Sequence, residues 1–223
     1  MMETGLTRWG GPVSGVLFAI LLVAGVLLMN SSTPADDDPD DEFIQFYDDS
    51  GNRIEQIVAA YLLAGAGLAF LWFLNHLRRR LTMAAGVDWL GGLMAGSGVI
   101  FVALLFAAAT AWVIISGSLE FGSTEIEQID PSLMRILPQM GFGLLLIFGA
   151  LSAALCITAA SWAIIRTGAL PSWLAWLGFL AAVALIFAVI FLPLIALPIW
   201  AVAASVALWM DRGETRPAAA TSP

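Results

Sequence analysis

Residues 172–210 read SWLAWLGFLAAVALIFAVIFLPLIALPIWAVAASVALWM, thirty-nine positions without one charge. As a single helix rising 1.5 Å per residue they would reach about 58 Å, roughly twice the hydrocarbon thickness of a bilayer. Pro193 and Pro198 stand in the second half of the stretch. A proline inside a helix removes a backbone donor and clashes with the preceding turn. Two of them five residues apart predict a hairpin tip, with one span over 172–191 and a second over 194–210.

Working outward, four more apolar segments have span length: 13–29, 57–75, 89–115 and 138–165. The prediction is an all-α polytopic transmembrane bundle of six spans. It forms one domain over 1–216, with an acidic external loop at 30–56 and a disordered tail at 217–223. Composition agrees. The chain of 223 residues is 60% hydrophobic and 12% charged, where a soluble domain carries roughly 25% charged residues. A water-soluble globule would lack polar surface to cover itself. A disordered chain is excluded because too much apolar surface seeks burial. Nucleic-acid binding is disfavoured by a net charge of −8 and the absence of Lys.

Six spans with both termini on one side put Arg8, Arg78, Arg79, Arg80, Arg166, Arg212 and Arg216 together. The positive-inside rule makes that side cytoplasmic. Segments 30–56 and 117–136 then face outward. The first holds nine acidic residues and one Arg, 9 − 1 = 8 net negative charges, which equals the net charge of the chain. Trp9, Trp72, Trp89, Trp162, Trp173 and Trp209 fall near inner ends, and Trp112 and Trp200 near outer ends, as an interfacial aromatic belt would. The first segment reads either as an uncleaved span or as a signal peptide removed within residues 1–35, with Arg8 as n-region and Thr33-Pro34-Ala35 as a loose cleavage pattern. Both leave the next segment starting outside.

Chemistry-bearing patterns are sparse. An EF-hand opening at Asp36 fails, since Asp41 stands where Gly is needed and Tyr47 where Glu is needed. The loop therefore reads as a solvated acidic segment, with loose cation attraction as the sharper alternative. Phe43, Ile44, Phe46 and Tyr47 lie at the outer interface or cap the bundle. Segment 117–136 has room for a short interfacial helix ending before Pro131. One His rules out HExxH, and no Walker A or GxSxG occurs. Cys156 stands alone, without a disulfide partner or a metal-ligand set. Glu55, His76 and Asp211 sit at span ends, and no charge lies near a span centre. Neither enzymatic activity nor a cofactor or metal is expected.

Small residues at helical spacing are the clearest feature of the spans. Gly11, Gly15 and Ala19 form one stripe; Gly92 and Gly96 form another; Ala150, Ala154, Thr158 and Ser161 form a third. Such stripes let helix backbones approach closely. Gly92, Gly96, Ala154, Thr158 and Ser161 are accordingly a packing face or, in the sharper reading, a permeation path. Arg78, Arg79 and Arg80 anchor topology or contact lipid headgroups.

Three stretches carry a resemblance. They are Phe46-Tyr47-Asp48-Asp49 with Asn52-Arg53, Leu71-Trp72-Phe73-Leu74 with Leu77-Arg78, and Arg166-Thr167-Gly168-Ala169-Leu170-Pro171-Ser172-Trp173-Leu174-Ala175-Trp176-Leu177-Gly178. Together they resemble uncharacterised multi-span membrane proteins common in high-GC actinobacteria and related bacteria, over most of residues 43–210. The resemblance implies a bacterial plasma membrane and a helical bundle, and it assigns no activity. The acidic run Asp36 to Glu42 lies outside that pattern. The expectation is a non-enzymatic structural, accessory or regulatory membrane component. The alternative is a small-solute or ion permeation protein with its path along the third and fourth spans. The lipid bilayer is the expected partner, and a membrane-protein partner or a second copy of the chain is left open.

Overall fold

The structure, a computed structural model of the chain, describes residues 5–31, 33–35, 38–82, 88–188 and 192–210. The expected tail at 217–223, together with Arg212 and Arg216, lies outside the described residues. Every regular element described is helical. In chain order they are α1 Gly5–Asn30, α2 Asp40–Asp48, α3 Ser50–Thr82, α4 Asp88–Phe121, α5 Pro131–Gly143, α6 Ala150–Thr167, α7 Ser172–Ile186 and α8 Ala196–Met210. A π-helical stretch, Leu144–Gly149, joins α5 to α6 without a break. Short 3-10 turns occupy Ile126–Gln128 and Leu192–Ile195. Among the described residues four continuous helices are long and apolar enough to cross a membrane: Gly10–Asn30, Ser50–Thr82, Asp88–Phe121 and Pro131–Thr167. The chain is thus an all-helical bundle of membrane-protein character.

Neighbouring helices run antiparallel, and glycines mark where they touch. A Cβ at Gly10 would meet Trp72 Nε1 at 2.9 Å, and one at Gly25 would meet Leu63. The start of α1 therefore lies beside the end of α3. Gly91 and Gly98 of α4 lie against Arg78 and Leu74 of α3, while Ser116 bonds Gln56 near the opposite ends. Gly15 abuts Ser205 and Phe73, which seats α8 on α1 and α3. At the centre an aromatic chain runs from Phe18 to Phe70 (ring centroids 4.7 Å apart), Phe70 to Phe101 (5.2 Å) and Phe73 to Trp200 (6.3 Å). These rings tie α1, α3, α4 and α8 into one core.

The two ends of the bundle differ in charge. One end gathers the start of α1, the end of α3, the start of α4, the α6–α7 turn and the end of α8; Arg78, Arg79, Arg80 and Arg166 lie there. The turn is closed by Gly168, whose φ of 62° is the left-handed conformation glycine adopts without strain. The other end carries α2 and the acidic residues of 38–55 and 120–130.

Several sequence-derived bounds change. The helices outrun the apolar segments, because polar helix continues beyond them: α3 is 33 residues, about 50 Å. α7 stops at Ile186 rather than 191. The hairpin turns where the proline pair predicts, with Leu192–Ile195 as a 3-10 turn and Pro198 in the first turn of α8, where a missing N–H costs nothing. α8 and that turn together measure about 30 Å. Trp112 and Trp200 are core residues rather than belt residues: Trp112 is 3% and Trp200 0% exposed. Trp72, Trp89, Trp162, Trp173, Trp176 and Trp209 are exposed around the arginine end. Trp112 is held inside because its Nε1–H donates to Pro138 O at 2.9 Å, over Gly141.

Candidate functional site

The segment read from sequence as a solvated loop contains a folded cap. Pro39 stands just before α2, and Asp40, Asp41 and Glu42 occupy its first turn, where carboxylates oppose the helix dipole. Phe43, Phe46 and Tyr47 point to one side of α2. They join Ile115 of α4 and Met134 of α5 in a second, smaller core, ringed by Leu119, Ile126, Ile129 and Leu137. Ile44, by contrast, is exposed. The cap reading of these aromatics is correct, and their spacing explains it: positions 43, 46 and 47 fall on one face of a helix.

Two arginines bolt the cap down. Arg53, in the first turn of α3, donates through Nη1 to Tyr47 O and Asp48 O, both at 2.8 Å. Its Nε pairs with Glu120 Oε2 at 3.0 Å. Asn52 Nδ2 donates to Phe46 O at 3.2 Å, and Asp49 Oδ1 accepts from Asn52 N. The last carbonyls of a helix have no partner within it. The Phe46-Tyr47-Asp48-Asp49…Asn52-Arg53 motif supplies those partners from the next helix. Arg135 of α5 holds the other end of α2. It donates to Asp38 O (2.7 Å) and Asp40 Oδ1 (2.9 Å), and its guanidinium lies 4.9 Å from the Phe43 ring centroid.

Beneath α2 lies a buried polar cluster. Ser116 Oγ donates to Gln56 Oε1 at 2.5 Å. The Tyr47 ring is buried beside Gln56. Burial pushes the Tyr47 phenol up to about 12, against a smaller opposing pull from the Gln56 side chain. Its hydroxyl is buried without completing a hydrogen bond among the described residues. Asp130 caps α5, accepting from Ser132 N at 2.8 Å, and its bonds to Ser132 lower its carboxyl pKa. The expected short helix before Pro131 is the 3-10 turn Ile126–Gln128.

The residues singled out from sequence do not converge. Gly92 and Gly96 face outward, with no neighbouring atom within 4 Å of where a Cβ would sit. They form no packing face or path inside this chain. The packing glycines of α4 are Gly91 and Gly98 instead. Ala154 is buried, and the Thr158 hydroxyl folds back onto Ala154 O at 2.8 Å. Ser14, Ser97, Thr110, Ser152 and Ser205 likewise bond carbonyls three or four residues back. Ser161 does not. Its Oγ and Trp200 Nε1 are fully buried and have no hydrogen-bond partner among the described residues, and both lie against Gly178. A Cβ there would clash with the Ser161 hydroxyl and meet Trp200 Nε1 at 2.8 Å. This three-helix knot between α6, α7 and α8 could not be found from sequence, since neither Trp200 nor Gly178 carries a local signal of contact.

Lateral grooves mark the bundle surface among the described residues. One of about 280 Å³ lies between α1 and the α7–α8 tip, lined by Leu22, Val26, Leu194 and Pro198. One of about 350 Å³ lies between α3 and α4, under Tyr61 and Phe121. One of about 370 Å³ lies between Pro12, Leu17 and Trp209. None of the three is lined by Thr158 or Ser161. Arg78, Arg79 and Arg80 are exposed at the end of α3. His76 Nδ1 lies 3.0 Å from Trp72 O, and its ring stacks on Trp72. Among the described residues no three His, Cys, Asp or Glu side chains group as metal ligands. Comparison with family models, with curated proteins and with solved structures finds no match.

Proposed function

We propose that the chain is a six-span plasma-membrane protein of a bacterium, with both termini cytoplasmic, acting as a non-enzymatic structural, accessory or regulatory component. Its working surface is the folded cap of α2 on the outer side. The observation that carries this reading is where charge lies. Every described Asp, Glu, Arg and His belongs to one of the two bundle ends, while the hydroxyls of Ser97, Thr110, Thr158 and Ser205 between them are spent on their own helices, Ser161 being the exception. Such an interior supplies neither an ion relay nor an acid–base pair. Meanwhile the outer end spends two arginines on fixing one nine-residue helix. Positive-inside asymmetry supports the orientation.

Single cysteines at Ser50, Ser123 and Thr215 in a Cys156→Ala background test the topology with an impermeant thiol reagent. Labelling is expected at the first two in intact cells. Labelling of Thr215→Cys there would refute the arrangement. Permeation is the second reading, supported by the unpartnered Ser161 hydroxyl beside Trp200. Liposome flux abolished by Thr158→Val and Ser161→Ala would favour it over the accessory reading.

A further inference from the structure

The arginines at the two ends are treated differently. At the acidic end Arg53 and Arg135 each pair with a carboxylate of the chain. At the other end Arg78, Arg79 and Arg166 form no ion pair with a described residue, and Asp88 is the one described carboxylate near them. Counting Arg8 and Arg80, the formal charge of the described residues there is 5 − 1 = +4. Arg78 and Arg79 are exposed where α3 enters its last turn, and Arg78 Cγ and Nε lie 3.5 Å from the Cβ position of Gly91 in α4. The Arg78 guanidinium is thereby held at the α3–α4 seam. Trp72 and Trp89, 60% and 64% exposed, lie at the same end of the bundle, Trp72 beside Gly10 of α1. Indoles of this exposure sit at headgroup depth.

We infer that Arg78, at the α3–α4 seam, and the adjacent Arg79 form a binding site for the phosphodiester of an anionic lipid at the arginine end of α3. The inference rests on the membrane reading above. A guanidinium fork matches two phosphate oxygens at once. Polyphosphorylated headgroups take clusters of four to eight basic residues, so an adjacent pair suits a headgroup of one net charge, the phosphatidylglycerol class. Among the described residues no carboxylate pairs with Arg78 or Arg79, which leaves the position of the counter-charge open to the lipid.

The test uses the full chain in phosphatidylcholine nanodiscs with trace spin-labelled phosphatidylglycerol or phosphatidylcholine. Electron spin resonance gives the fraction of each label held at the protein. Phosphatidylglycerol is expected to associate about 25-fold more strongly, from about 1 kcal/mol for each of the two arginines. That preference should fall towards one in Arg78→Gln/Arg79→Gln, and survive in part in Arg78→Lys/Arg79→Lys. Inorganic phosphate at millimolar concentration should leave it unchanged. Competition by phosphate would make the ligand a free anion and overturn the lipid assignment. An immobilised lipid shell with equal affinity for both labels, or a preference unaffected by the Gln pair, would sink the site while leaving the membrane reading intact. Absence of any immobilised shell would sink the membrane reading itself. The thermal midpoint of each variant checks that it is folded.

Discussion

Gly178→Ala against Gly96→Ala isolates the packing of the bundle from the intrinsic cost of glycine. Both glycines sit in helix interiors, and exchange for alanine gains each about 1 kcal/mol of helix propensity. That gain cancels in the comparison. At Gly96 the new methyl meets nothing within 4 Å. At Gly178 it collides with the Ser161 hydroxyl, lies 2.8 Å from Trp200 Nε1 and 3.2 Å from Ile157 Cγ2. Overpacking of this kind costs about 1–3 kcal/mol, so Gly178→Ala should be less stable than Gly96→Ala by that amount. Reversible unfolding in mixed micelles, followed by circular dichroism, measures the difference. Ser161→Ala alone removes a buried hydroxyl without a partner, and should be neutral or stabilising by about 1 kcal/mol. Added to Gly178→Ala it removes the nearest clash, so the pair should be non-additive and recover part of the loss. Equal destabilisation at both glycines would refute the reasoning, because it would mean that Gly96 is packed against something as closely as Gly178.

The cap yields three further expectations. Arg53→Gln removes two carbonyl bonds and an ion pair at once. A loss of about 1.4 kcal/mol in cap docking would speed hydrogen exchange of α2 amides about tenfold, with α6 amides unchanged; uniform acceleration would mean the cap is not a separate unit. Tyr47, with its phenol raised to about 12, stays neutral in the folded cap after an unfolded tyrosine, near 10, has ionised. A raised pKa gives stability that is full below the unfolded value and fades as pH rises towards the folded one. Cap protection should therefore hold below pH about 10 and weaken between about 10 and 12, an effect absent in Tyr47→Phe. Arg135→Ala should loosen the first turn of α2 and leave its last turn protected, read by exchange at single-residue resolution.

Much of the bundle was legible because burial in lipid leaves a coarse mark. Twenty apolar residues announce a helix whatever their order, and the Pro193–Pro198 pair located the hairpin. The faces were less legible. In a membrane the outward surface is as apolar as the core, so Gly92 and Gly96 on the outside look in sequence like Gly91 and Gly98 on the inside. Trp112 and Trp200 misled for the same reason: a tryptophan near a span end reads as an anchor unless its burial is known. The cap was partly visible in Phe43, Phe46 and Tyr47. Arg53 and Arg135 carry the rest of the signal: two arginines set in acidic segments gather carboxylates and carbonyls that would otherwise repel or stand unpaired.

α3 has one further consequence, which is mechanical. It runs unbroken for 33 residues, without an internal proline, from the Arg53 clamp to the Arg78–Arg80 end. The α5–α6 rod, of similar reach, is interrupted by Pro138 and by the π turn Leu144–Gly149, the features at which helices bend. A push or twist on α2 enters α3 through Arg53 and has no joint at which to dissipate before the far face. The neighbouring rod has its compliance built in halfway. Of the two, α3 is the stiff strut through which a load on one face is felt at the other, and α5–α6 is the spring beside it.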